Sequence, residues 1–116
     1  MQRDILFLLK PGFTDPALPG QDFYCWHCAL MEGVLASFPH LAANLDVRRI
    51  AFPRPRADVI ALIGEANQSL PVLILAEDDA PAGLASASHA GRGFVNDPMV
   101  LLDVLHQRHG FPLRHP

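Results

Sequence analysis

A chain of 116 residues, half of them hydrophobic and 18% charged, has the apolar material for one packed domain spanning 1–116 and excludes wholesale disorder. Its formal net charge of −3, with Lys10 the only lysine, leaves no basic stripe to neutralise phosphates and argues against a nucleic-acid partner. No apolar run approaches the roughly 20 residues that cross a bilayer, and the run after Met1-Gln2-Arg3-Asp4 is too short for a signal peptide. The expectation is a cytoplasmic protein with no membrane partner.

Ile5 to Leu9 is a continuous apolar run closed by Lys10-Pro11-Gly12, the pattern of a strand buried on both faces. Pro11 to Phe23 is dense in Pro, Gly and Asp and reads as a loop, long enough to suggest a functional one. After Cys25 the period changes: Leu30, Met31, Val34, Leu35 and Phe38 recur at helical spacing until Pro39. Leu45 to Phe52 alternates like a strand, with Leu45, Val47 and Arg49 on one face, and Phe52-Pro53-Arg54-Pro55-Arg56 breaks it.

Asp58 suits the N-cap of a short helix carrying Val59, Ile60, Leu62, Ile63 and Ala66. Ser69-Leu70-Pro71 precedes the apolar strand Val72 to Leu75, and Glu77-Asp78-Asp79 reads as a solvated turn. Ala82 to Ala90 shows little periodicity and reads as a surface connection, with room for one helical turn. Gly91 to Val95 is a short strand, and Asp97-Pro98 starts a helix whose buried stripe is Leu101, Leu102 and Leu105, ended by Gly110 and Pro112. Strands alternating with helices (βαβαββα) predict an α/β fold: a mixed four-stranded central sheet flanked by about three helices. The opening βαβ unit sets its two strands parallel.

Cys25-Trp26-His27-Cys28 sits at the start of the first helix. Unpaired N–H groups and the positive end of the helix dipole favour an anion there, so this position favours the Cys25 thiolate, the nucleophile in disulfide exchange. Cys28, one turn on and on the same face, is placed to attack a mixed disulfide held on Cys25. His27 between them can add positive charge or serve as a solvated side chain, Trp26 offers an apolar wall beside Cys25 or packs on the long loop, and Tyr24 can shield or hydrogen-bond a thiol or belong to the core. Arg54 and Arg56, in a Pro-rich loop, have the fork geometry to hold a carboxylate or phosphate, or serve as solvated surface. The cysteines also admit two plainer readings. One is a pair of small buried hydrophobes. The other is half of a zinc site, though no second Cys-x-x-Cys exists to complete it, and His106 and His109 are explained by their place near a helix C-terminus.

The order of elements, the Cys-x-x-Cys at a helix start and Ser69-Leu70-Pro71 before a strand resemble the thioredoxin and glutaredoxin superfamily, from about Ile5 to Gly110. Phe23-Tyr24-Cys25, Arg54-Pro55-Arg56, Gln68-Ser69-Leu70-Pro71 and His109-Gly110-Phe111-Pro112 resemble an uncharacterised bacterial thioredoxin-like family, the domain of unknown function 3088. The superfamily resemblance implies a thioredoxin-like fold. It also implies a cis Leu70–Pro71 bond that sets the Leu70 backbone beside Cys25 to hold substrate. Lys10 resembles the strand-end lysine by which glutaredoxins contact glutathione. The activity so implied is a thiol–disulfide oxidoreductase without a built-in cofactor, acting on protein or glutathione disulfides. Glutathione as co-substrate, or a reductase, would renew its thiols. The chain lacks thioredoxin's Trp-Cys-Gly-Pro-Cys, and a glutaredoxin's Gly-Gly-x-Asp is only echoed between Gly91 and Asp97. A binding or scaffold domain of the same fold therefore stands as the alternative function.

Overall fold

The computed structural model describes residues 3–76 and 87–116. Glu77-Asp78-Asp79 and the first part of the Ala82 to Ala90 connection lie outside the described residues.

Strand β1 (Ile5–Leu9) is buried along its whole length. Side chains alternate across a strand, so an uninterrupted apolar run needs cover on both faces, and it has that. Leu6 and Leu8 join a cluster with Met31, Leu35, Leu101 and Leu105, whereas Ile5 and Phe7 join one with Val59, Ile63 and Phe94.

The remaining elements are β2 (Phe13–Thr14), β3 (Asp22–Phe23), α1 (Trp26–Ser37), α2 (Pro39–Ala42), β4 (Asp46–Ile50) and α3 (Ala57–Ile63). They continue with β5 (Val72–Ile74), β6 (Ala87–His89), β7 (Arg92–Val95) and α4 (Pro98–His109). Five strands form one mixed sheet in the order β4-β1-β5-β7-β6. β1 runs parallel to β4, as a βαβ crossover requires, and antiparallel to β5. α1 and α4 cover one face of the sheet, and α3 the other. This is the expected α/β architecture, consistent with a thioredoxin-like arrangement. No helix among the described residues is long and apolar enough to cross a membrane.

Four local expectations change. The sheet has a fifth strand, because Ala87–His89 turns back through Ala90-Gly91 and pairs with β7. Gly91 supplies the positive φ of 79° that this tight turn needs. The Pro11 to Phe23 loop carries a small hairpin, with Phe13 opposite Phe23 and Thr14 opposite Asp22. Asp58 is not the cap of α3; Arg56 stands at that position, and Asp58 lies in the first turn, where its charge still suits the helix dipole. That helix ends at Gly64, before Ala66. By contrast, α4 starts as expected: Asp97 accepts hydrogen bonds from the Met99 and Val100 N–H groups, and Pro98 is in the first turn.

A buried carboxylate fastens α4 to the sheet. Asp4, just before β1, accepts from Arg108 Nε (2.5 Å) and Nη2 (2.9 Å), His109 Nε2 (2.6 Å) and the Ala76 N–H (2.7 Å). Burial alone would push this carboxyl up, but the bonds from His109, Arg108 and Ala76 reverse that and hold it well below the usual carboxylate range. His106 is used locally, with Nδ1 at 2.7 Å from the Phe111 carbonyl oxygen. That contact helps seat Phe111, which is buried and meets Phe38 edge-on.

Candidate active site

Cys25 is the N-cap of α1, with extended backbone (φ −77°, ψ 114°). Its Sγ accepts the Cys28 N–H at 3.2 Å, satisfying one of the donors that a helix start leaves open. A thiol thus does what Ser or Asp does at most caps, and its sulfur is held over the first turn. Cys25 is half-buried and Cys28 is buried, and both are free thiols.

Beneath it, Cys28 Sγ accepts the Leu9 N–H at 3.4 Å. Leu9 ends β1, so the buried sulfur is tied to the sheet and the half-exposed one to the helix. Burial pushes the Cys28 thiol up to about 12, helped by the hydrogen bond with Cys25 and by the negative charge of Cys25 and Glu32; the Leu9 N–H opposes this. The two sulfurs are therefore unequal in access, one half-buried and the other buried.

The Leu70–Pro71 bond is cis, as the resemblance implied, and so is Arg54–Pro55. The β1–β5 register ends with Phe7 opposite Val72, the residue that follows Pro71. Leu70 and Cys25 pack against the same core cluster. Pro71 is buried and Leu70 half-buried.

Tyr24 and Trp26 flank Cys25 in the chain and are exposed (65% and 66%). The Trp26 ring lies over His27 with centroids 3.5 Å apart, leaving that imidazole half-buried. Lys10 is exposed at the end of β1, where its N–H extends the pairing with β4 by donating to Ile50. Arg54 is exposed as expected.

Arg56 departs from the picture of an exposed anion-binding arginine. It is buried, and its guanidinium donates to the Phe52 carbonyl through Nε (3.1 Å) and Nη2 (2.7 Å), and to the Gln68 carbonyl through Nη1 (2.7 Å). Gln68 Oε1 accepts the Arg56 N–H in return, at 2.8 Å. The fork joins the loop after β4 to the loop before Pro71. Burial, and after it the neighbouring Arg54 charge, push the Arg56 pKa down from the ordinary arginine value, while its charge interaction with Cys28 and Cys25 acts the other way. Its role is structural, with its charge felt at the sulfurs.

The sequence did not single out the cleft beside the thiols. A cavity of about 460 Å³ opens between α1 and the Pro11 to Phe23 loop, walled by Leu9, Pro11, Phe23, Tyr24 and Ala29, with Cys25 and Cys28 also in its lining. Asp22 and Glu32 lie on its wall. Glu32 is one helical turn after Cys28, the spacing that could have revealed it. Its carboxylate takes both Arg49 Nε and Nη2 at 2.7 Å. Among the described residues no group of three or more His, Cys, Asp or Glu is arranged to hold a metal ion.

No curated protein and no solved structure matches the chain. A family model described as "Protein of unknown function (DUF3088)" matches residues 3–113, nearly the whole chain. The arrangement of thiols, cis-proline segment and cleft is thus that of a member of this family, to which the chain belongs.

Proposed function

We propose that the protein is a thiol–disulfide oxidoreductase of the thioredoxin- or glutaredoxin-like kind. The observation that carries this reading is the Cys25 sulfur at the helix start, half-exposed and directly over a buried second cysteine. The Cys25 thiolate attacks one sulfur of a disulfide, a new S–S bond forms, and the other half leaves as a thiolate that takes up a proton. Cys28 gives up its proton to solvent and attacks Cys25 Sγ, which releases the second thiol and leaves Cys25–Cys28 oxidised. The substrate gains the two electrons that the protein dithiol loses. A thiol reductant, glutathione or a protein dithiol, restores the starting state. The Leu70 backbone, before the cis-proline, is the proposed guide for substrate, and the reading goes with a reducing, cytoplasmic setting.

The expected result is a reversible Cys25–Cys28 couple with a potential of roughly −200 to −270 mV, measured against a glutathione buffer. Loss of that couple in Cys25→Ser, and a trapped mixed disulfide in Cys28→Ser, complete the test. The exposed pair Tyr24 and Trp26 favours a second reading, a binding domain that meets a partner through this face. It predicts thiols that do not cycle and partner binding unchanged in Cys25→Ser.

A further inference from the structure

The cleft beside the thiols is formed by the long Pro11 to Phe23 loop, on the α1 side of Cys25. Its volume of about 460 Å³ suits one small molecule or a fragment of one, since small-molecule sites run from roughly 300 to 1,000 Å³. The hairpin β2–β3 gives this wall a fixed shape, and Phe13 anchors the hairpin by stacking on Phe52 at 4.4 Å. The lining is mainly apolar, its charged side chains are the carboxylates of Asp22 and Glu32, and no Lys or Arg belongs to it. Glu32 is neutralised by the two-pronged Arg49 pair, whereas Asp22 is exposed and carries no ion pair among the described residues. Apolar walls reward burial of an aromatic or alkyl group, and the free carboxylate repels an anion.

We propose that this cleft is the substrate subsite, and that it selects low-molecular-weight disulfides whose sulfur carries an aromatic or alkyl group without negative charge. The inference rests on the oxidoreductase reading and narrows it. The group seats between Phe23, Tyr24 and Ala29, which sets its sulfur at Cys25. The Cys25 thiolate bonds to that sulfur, the S–S bond breaks, and the other half departs to solvent as a thiolate. Anionic peptide disulfides, glutathione disulfide among them, are poor occupants of this wall.

The test follows the reaction of reduced protein with three disulfides: dithiodipyridine (aromatic, uncharged), dithiobis-nitrobenzoate (aromatic, anionic) and hydroxyethyl disulfide (small, polar, uncharged). Each rate is divided by that of N-acetylcysteine with the same probe, which removes intrinsic reactivity. Wild-type Cys25 is expected to favour dithiodipyridine over hydroxyethyl disulfide by ~10-fold. Ala29→Phe, an exposed helix position that fills the cleft, should abolish that preference. Asp22→Lys should raise the ratio of dithiobis-nitrobenzoate to dithiodipyridine by several-fold. Reaction with all three probes at equal normalised rates, or a preference unmoved by both substitutions, overturns the subsite and leaves the oxidoreductase reading standing. No reaction of Cys25 with any probe overturns both.

Discussion

The Cys28 N–H donates to Cys25 Sγ at 3.2 Å, so the half-exposed sulfur caps the helix that carries the buried one. Burial separates the two cysteines further. Cys25 gains a donor and a path to solvent. Cys28 is buried, and the charge that forms on Cys25 opposes its own ionisation.

Alkylation should follow that inequality. Near neutral pH iodoacetamide modifies Cys25 rapidly, while Cys28, pushed up to about 12, stays protonated and reacts only as pH rises toward that value. Cys25→Ala removes the hydrogen bond and the charge that raise Cys28, so its titration moves down, yet burial keeps it above an ordinary thiol. Ultraviolet thiolate absorbance against pH, with mass mapping of the alkylated site, reads both effects. Equal, slow labelling of the two thiols would sink the assignment of Cys25 as nucleophile.

Asp4 should dominate the acid limb of stability. Its carboxyl is depressed in the folded chain, so its contribution is complete above the unfolded value of about 4 and is lost as pH falls toward the folded one. Asp4→Asn leaves Arg108 facing a neutral amide in a buried position and should cost about 3 kcal/mol. It should also flatten the fall in stability between neutrality and acid. Urea unfolding at several pH values measures both, and a variant with wild-type acid sensitivity contradicts the claim.

Arg56→Lys keeps the charge but gives up the fork to the Phe52 and Gln68 carbonyls. Two buried acceptors then lose donors, for an expected cost of about 2 kcal/mol, seen as a lower urea midpoint. Rapid labelling of Cys25 should persist, because the cation remains. An unchanged midpoint would mean that the fork does not secure the loop before Pro71.

Gly64 should tolerate no side chain. Its φ of 87° and ψ of 162° belong to a region that is essentially glycine's own, and a Cβ there would stand 2.8 Å from His89 Cε1. Gly64→Ala is expected to destabilise by about 2 kcal/mol. Adding His89→Ala relieves the collision but not the backbone, so the double variant should recover only part of the loss in thermal unfolding. Full recovery would put the whole cost on the ring.

Much of the molecule is local and therefore legible in the chain itself. The apolar run at β1, the 3.6-residue spacing after Cys25, Asp97-Pro98 at the head of α4 and the Cys-x-x-Cys at a helix start all act through neighbouring residues. Those features sufficed for an α/β order of elements and for naming Cys25 and Cys28. The start of α3 departs from an Asp58 cap because the Gln68 side chain, distant in sequence, holds the Arg56 N–H.

What only the tertiary structure decided involves partners far apart in sequence. Asp4 meets Arg108 and His109, Arg56 meets Gln68, and Cys28 meets Leu9. No periodicity records such pairs, because each depends on how sheet and helices pack after they form. The cleft is of the same kind: its walls come from a loop and a helix that read separately as punctuation and core. By itself the sequence determined that two cysteines stand at a helix start. Folding decided that one is half-open to solvent beside an apolar cleft and the other sealed against the sheet.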